Sequence, residues 1–421
     1  MKVLEYFSQL TQIPHCSHRS EKLKKFLIDF ARMHGYDVQT DAAGNILASK
    51  GAPKLCLQAH YDMVCVGKAP DIVLHEEDGW WYAQDSSLGA DNGIAIAMMM
   101  ALMEEGVVCE YLFTADEEVG LIGANALQFP LQSRYMLNLD SEDEAEVYIG
   151  CAGGVDIFAQ KIYETVSCEQ DFYEITVSKL PGGHSGVEIH KDIPNAIKLF
   201  ADYCADREVL VSFIEGGERI NAIPVHCRAI VASRKELSSV RDIDVKKISG
   251  TYPVIRESEN LLKLLREIPH GVLSWNEKLD IPDKSLNLAT ISLKEGICKI
   301  ATSARAMDQE GLQSAEEKIK TLFTSFGYSV KSEGKYPAWE PEVNDFSKIV
   351  CEKMQEVYAS CAYKAIHAGL ECAVISDLYP DIKIASIGPN IRSPHSSHES
   401  VEIASVKKIY QVVKKIVNAI S

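Results

Sequence analysis

The chain has 421 residues, a length that accommodates about two to three domains. Apolar residues make up 46% and charged residues 24%, the balance of a globular chain rather than a disordered or fibrous one. Asp and Glu number 60 against 43 Lys and Arg, a net charge of −17 that repels phosphate backbones and anionic lipid, so neither nucleic acid nor a membrane surface is an expected partner. No stretch reaches the ~18 uninterrupted apolar residues of a membrane span, and Met1–Leu10, with Lys2, Glu5 and Gln9, lacks the apolar core of a signal peptide. A cytoplasmic location is expected. The 12 cysteines include no Cys-x-x-Cys pair and several stand singly in apolar runs, such as Leu55-Cys56-Leu57, so they read as small buried hydrophobes in a reducing compartment.

In chain order, strand-like runs at Lys54–Val64, Cys109–Ala115 and Tyr135–Leu139 alternate with helix-like segments, the pattern of an α/β domain with a largely parallel sheet. Asn92–Glu105 is apolar at nearly every position and predicts a buried helix; Gly123–Leu127 predicts a short crossover helix. Beyond Gly150-Cys151-Ala152-Gly153-Gly154, Asp171–Val177, Cys227–Ala232 and Ser285–Leu293 read as strands of an antiparallel sheet with helices between them, a second domain of α+β type. After the proline-rich Tyr336–Pro341, a helix over Phe346–Ser360 and a strand over Ile382–Ile387 return the chain to the first domain. The expected architecture is a split α/β domain, residues 1–157 and 336–421, with an α+β insertion at 158–335.

Acidic and imidazole groups fall where the apolar runs begin or end. His60-Tyr61-Asp62 closes the first strand, Asp91 precedes the buried helix, Glu117-Glu118 follow Leu112-Phe113-Thr114-Ala115, and Asp140 ends Met136-Leu137-Asn138-Leu139. Taken singly, Asp91 reads as a helix N-cap, His60 as a core histidine, Glu117-Glu118 as a solvated loop and Asp140 as part of an acidic turn. Taken together, they sit at the carboxyl ends of strands, where open α/β sheets bind ligands. Carboxylates gathered there raise one another's pKa unless cations neutralise them. Imidazole with carboxylate suits zinc, manganese or cobalt. Asp62 shares a face of the strand with His60 and is placed to orient its ring. A second histidine source is Pro394-His395-Ser396-Ser397-His398-Glu399, in which spacing alone does not separate His395 from His398.

These motifs resemble the M20 metallopeptidases: His60-Tyr61-Asp62, Ser87–Gly93, Asp116–Gly120, Asp140-Ser141-Glu142 and Pro394-His395-Ser396 occur in that family's order. The phrases GADNGIA, NLDSED, YIGCAGG, GGHSGVEIH, NAIP and HAGLEC are similar to its aminoacyl-histidine dipeptidase (Xaa-His dipeptidase, peptidase D) branch. The resemblance implies a zinc-peptidase-type α/β fold with an inserted α+β lid, and two divalent cations. It places His60 and Asp140 on one cation, Glu118 and His395 on the other, Asp91 bridging them, Glu117 as general base and Asp62 as orienting acid. Glu399, four residues after His395, selects His395 over His398, which stands where the family carries an Asp. From the insertion it implies His184, Asn221 and Arg305 as groups that hold the substrate carbonyl and carboxylate, although Ala304-Arg305-Ala306 departs from the family's Arg-Ser. GGHSG and NAIP also read as turns with no further role, and His367-Ala368-Gly369-Leu370-Glu371 carries no assigned role. The implied activity is hydrolysis of short unblocked peptides by a homodimer. An M20 deacylase of N-acyl amino acids and a non-catalytic peptide- or metal-binding protein are the alternatives.

Overall fold

The computed structural model describes residues 1–420. Four strands, Glu110–Thr114, Leu55–His60, Tyr135–Asn138 and Lys383–Ser386, lie side by side in that order at the centre of an eight-stranded sheet. All three pairings among them are parallel. The flanks are not: Ile46–Ser49 runs antiparallel to Glu110–Thr114, Asp37–Thr40 antiparallel to Ile46–Ser49, and Glu146–Cys151 antiparallel to Lys383–Ser386. The expected parallel character therefore belongs to the centre, where crossover segments separate the strands, while a short hairpin joins the first two strands and forces antiparallel pairing.

Burial follows from that topology. Every residue of Leu55–His60 and of Glu110–Thr114 is buried, as parallel strands covered on both faces must be. The helix Ala90–Glu104 is buried from Asn92 to Met103, packing between the helix Lys2–Leu10 and the His60 strand. Phe346, Val350 and Met354 of the helix Asp345–Tyr358 join the same core, as do Val406, Ile409, Val413 and Ile416 of Ile403–Ile420.

Two compact units divide the chain: Met1–Cys151 with Trp339–Ala365 and Leu370–Ser421, and Ala152–Ala338 with Ile366–Gly369. The division places the whole strand Gly153–Ile162 in the second unit. That unit is built on an antiparallel sheet whose consecutive strands include Asp171–Val177, Cys227–Ser233, Val209–Gly216, Ile281–Lys294, Ile297–Ala306 and Gly153–Ile162. The helices Ala196–Cys204, Ser258–Glu267 and Gln309–Ser325 pack against it through Phe200, Leu261, Leu265, Leu312 and Phe323.

The cysteines depart from expectation. Eight are free and buried, but Cys16 is joined to Cys65 and Cys351 to Cys361. The first pair is 49 residues apart in sequence and meets only because Cys16 forms a β-bridge to Met63 beyond the His60 strand, a juxtaposition that no local spacing announces. Among the described residues no helix is long and apolar enough to cross a membrane.

Leu57, fully buried in the His60 strand, tests the centre of the first core. Leu57→Ala is expected to lower stability by about 2–5 kcal/mol, read as a shifted denaturant midpoint. An unchanged midpoint contradicts the packing described.

Candidate functional site

Register aligns the site. His60 lies beside Thr114 and Gln58 beside Asn138 on the neighbouring parallel strands, so His60, the Glu117-Glu118 pair and Asp140 leave the sheet at one edge. Asp91 joins them from the start of the buried helix, after Gly89 with φ 72°. A Cβ on Gly89 would lie 2.9 Å from Met63 Sδ, so the close approach as well as the left-handed backbone requires glycine there. His395 comes from the segment before the strand Ser400–Glu402, itself with φ 58°.

Asp91 presents one oxygen to each side. Its Oδ1 lies 3.0 Å from His60 Nε2, which is 3.3 Å from Asp140 Oδ1; its Oδ2 lies 3.0 Å from His395 Nε2, which is 2.9 Å from Glu118 Oε2. His60, Asp91 and Asp140 form one group of possible metal ligands with donor atoms within 4.8 Å of one another, Asp91, Glu118 and His395 a second, and His60, Glu117 and Glu118 a third. Buried Glu118 Oε1 has no hydrogen-bond partner. Four carboxylates and two imidazoles, with one carboxylate oxygen orphaned, fit a divalent cation.

The local electrostatics express the same demand. Burial, reinforced by Asp91, pushes Glu118 up to about 7. Burial also raises Asp140 and drives Glu142 to about 8, with Asp91 and Asp140 adding to the latter. Asp91 is the exception: burial acts upward, but hydrogen bonds to His395 and His60 hold it well below the carboxylate range. Those histidines bear the converse. Burial lowers both, yet Asp140, Asp62 and Asp91 keep His60 well above the imidazole range, and Asp91 with Glu118 holds His395 at about 11.

The supporting contacts are specific. His60 Nδ1 donates to the backbone carbonyl of Asp62 at 3.0 Å, while the Asp62 carboxylate lies 3.6 Å away; the carbonyl fixes the tautomer and turns Nε2 toward Asp91. The Asp62 carboxylate accepts from Ser17 Oγ at 2.7 Å and from the backbone N–H of Glu117 at 2.9 Å. Burial pushes the Glu117 carboxyl well above its ordinary value, with His60 opposing and Glu118 reinforcing. Glu399 accepts four backbone N–H bonds, from Leu88, Gly89, Ala90 and Asp91, at 2.7–3.2 Å, so it anchors the loop that delivers Asp91. His398 is exposed and belongs to none of the metal-ligand groups.

In the second unit, the GGHSG and NAIP segments are paired: Ser185 N–H donates to Asn221 O at 2.9 Å and Ile223 N–H to Gly183 O at 2.9 Å. His184 Nδ1 accepts from the N–H groups of Gly186 and Val187, so the neutral ring carries its proton on Nε2. The Asn221 residue is exposed. Arg305 is buried, donates to Tyr336 Oη at 2.6 Å, and leaves Nε without a partner. Among the described residues no carboxylate forms an ion pair with it. Buried His367 beside it bonds Ser285 Oγ at 2.8 Å and is lowered to about 3 by burial, then by Arg305.

The family model for peptidase family M20/M25/M40 matches residues 56–419. The chain belongs to that family. It is 30% identical to the cytosol non-specific dipeptidase of Escherichia coli over 99% of this chain and 97% of the relative. It superposes on the aminoacylhistidine dipeptidase of Vibrio alginolyticus with a TM-score of 0.84 and 28% identity, covering 100% of this chain and 96% of that one. The aminopeptidase PepT of Bacillus cereus, 16% identical, shares the fold with a TM-score of 0.61 over 100% of this chain and 98% of that one. This M20 chain is thus a peptide-bond hydrolase of zinc-peptidase-type α/β fold, similar to dipeptidases, with a divalent-metal site.

Residues that sequence patterning did not single out complete the M20 site. Ser17 bonds the Asp62 carboxylate, Gln58 and Thr114 bond each other beneath the strand ends, and no motif of charge or spacing marks them.

Their carboxylate neighbours raise His60 and His395, so if these imidazoles take up a divalent cation, its binding is expected to release protons, and apparent affinity to rise with pH through the neutral range and fall as acid returns those protons. Calorimetric titration with a divalent cation in buffers of differing ionisation enthalpy measures the release. Binding with no proton release contradicts the site described.

Proposed function

We propose that this M20 chain is a dinuclear-metal dipeptidase acting on unblocked dipeptides, Xaa-His and β-alanyl-histidine types among them, with Glu117 as general base. The observation that carries the reading is Asp91, whose two oxygens each face a separate histidine and carboxylate, as a bridging ligand requires. On this reading His60 and Asp140 hold one cation, His395 and Glu118 the other, zinc being the preferred ion and manganese or cobalt substitutes.

When bound, such cations supply Lewis acidity at the scissile carbonyl and acidify water beside it. Glu117 takes the proton of the attacking water and delivers it to the leaving amine nitrogen; its raised carboxyl is suited to both halves of that transfer. Asp62, accepting from Ser17 and from the Glu117 N–H, holds the base in place. His184, with its proton on Nε2, donates to the carbonyl oxygen as negative charge develops. Arg305 and Asn221 receive the substrate's C-terminal carboxylate, and this confines the enzyme to short peptides. The name of the Vibrio relative supports the aminoacyl-histidine preference, and that of the Escherichia coli relative supports a broader range and a cytoplasmic location. A homodimer completes the reading.

Dipeptides including β-alanyl-histidine, mixed with N-acetyl amino acids and followed by mass spectrometry with and without chelator, test the reaction. Chelator-sensitive loss of the dipeptides alone is expected; loss of only the acetylated compounds makes the protein a deacylase, and no turnover leaves a binding protein. Glu117→Gln is expected to lower kcat by about 10²–10⁴-fold while metal content stays constant, and equal turnover removes the base assignment. Arg305→Met is expected to weaken substrate binding by about 1.5–3 kcal/mol, seen as a raised KM with unblocked dipeptides; an unchanged KM removes the carboxylate assignment.

A further inference from the structure

The HAGLEC segment contains a buried carboxylate that the mechanism does not use. Glu371 opens the helix Glu371–Leu378 and is fully buried. A carboxyl so placed costs several kcal/mol of desolvation unless its bonds compensate, and an apolar side chain would fill the space at no such cost. Its bonds are therefore the clue to its use.

Oε2 of Glu371 accepts from Gln58 Nε2 at 2.5 Å and from Thr114 Oγ1 at 2.6 Å. Gln58 lies two residues before His60, and Thr114 closes the strand that leads to Glu117 and Glu118. Gln58 Nε2 also lies 3.1 Å from Thr114 Oγ1, so one carboxylate oxygen and two side chains close a triangle across the two strands. Gln58 Oε1 accepts from Asn138 Nδ2 at 2.5 Å, and Asn138 Oδ1 accepts the backbone N–H of Asp140 at 3.2 Å and Ser386 Oγ at 2.5 Å. Gln58, Thr114, Asn138 and Ser386 are all fully buried. The network reaches the strands that carry His60, the Glu117-Glu118 pair and Asp140, beneath the ligands and without touching any ligand side chain.

We propose that Glu371 is a positioning residue for the metal site, its Oε2 locking the His60 strand to the Glu117-Glu118 strand and, through Gln58 and Asn138, fixing the backbone of Asp140. The inference rests on the reading of His60, Asp91, Glu118, Asp140 and His395 as metal ligands. Groups that orient ligands typically change metal affinity by about 10–100-fold when removed, because a strand end left free to shift misplaces donor atoms whose geometry the cation selects. Burial pushes the carboxyl up to about 7, with His60 opposing, which makes an amide of the same shape a fair replacement for it.

The test uses cobalt(II) as probe on the full-length protein, reading its dissociation constant, its visible absorption spectrum and the melting temperature of the metal-free protein. Glu371→Ala is expected to bind cobalt about 10–100-fold more weakly with an altered spectrum, and Glu371→Gln, whose amide oxygen accepts both bonds, to restore affinity and spectrum to near wild type. A lowered melting temperature with wild-type cobalt affinity and spectrum overturns the proposal, since it leaves Glu371 a purely structural role; so does a glutamine variant as impaired as the alanine one. If Glu371→Ala does not fold, Thr114→Val keeps the shape and removes one of the two bonds: weakened cobalt binding supports the proposal and wild-type binding overturns it. Asp91→Ala separates the two levels. Should that variant retain wild-type cobalt affinity, the ligand reading itself fails; should it lose cobalt while the Glu371 variants bind normally, only the present inference fails.

Discussion

Carboxylates that cannot all be ionised side by side in a buried place are the constraint around which the first unit is organised. Asp91, Glu118, Asp140, Glu117 and Glu142 crowd one edge of the sheet, and burial lifts all but Asp91 above the ordinary range. Neutralisation has two sources, protons or cations. The histidines supply the first, holding protons they would lose if they stood alone in the interior. Exchange of those protons for a divalent ion relieves the same repulsion with a stronger charge, so the site is at once a poor place for anions and a selective one for metal.

Such a cluster holds its shape only if the surroundings are satisfied without adding charge. The structure solves this with neutral donors. Glu399 accepts from four backbone N–H groups, which oppose the upward push of burial on its carboxyl and which belong to the loop delivering Asp91. The Asp62 carboxylate is occupied by Ser17 and by the Glu117 N–H, leaving its carbonyl to orient His60. Below them Gln58, Thr114 and Asn138 pass hydrogen bonds from strand to strand. Each contact removes freedom from a ligand-bearing segment without competing for the cation, and a buried network of this kind is stable only when its members are satisfied.

Much of this was legible because the chemistry and the folding pattern share a period. The strands that end in His60, Thr114 and Asn138 are short apolar runs, and the helix Ala90–Glu104 is apolar all round; the residues that break each run are the polar ones at the strand ends. The ligands stand out as charged residues where a buried segment stops. The second layer is invisible by the same logic. Gln58 and Thr114 are uncharged, one inside its strand and one at the end of its own, and Glu371 meets them only after hundreds of residues of intervening chain, so no local pattern joins them. The antiparallel flanks, the Cys16–Cys65 pair and the use of the Asp62 carbonyl in place of its carboxylate depend likewise on which segments become neighbours.

The second unit presents the complementary chemistry. Where the first gathers acceptors that call for a cation, this one holds donors that call for an anion or a carbonyl. Arg305 is buried with no carboxylate in ion-pair contact, Asp156 interacting with its charge only at longer range, and His367 beside it is kept neutral by burial and by Arg305 itself. A buried guanidinium in that state is costly, and the cost is tolerable when a transient anionic ligand completes it. The Nδ1 of His184 is fixed as an acceptor by two backbone amides, which leaves the proton of the neutral ring on Nε2. On the function proposed above, a dipeptide's C-terminal half brings a carbonyl to His184 and a terminal carboxylate to Arg305.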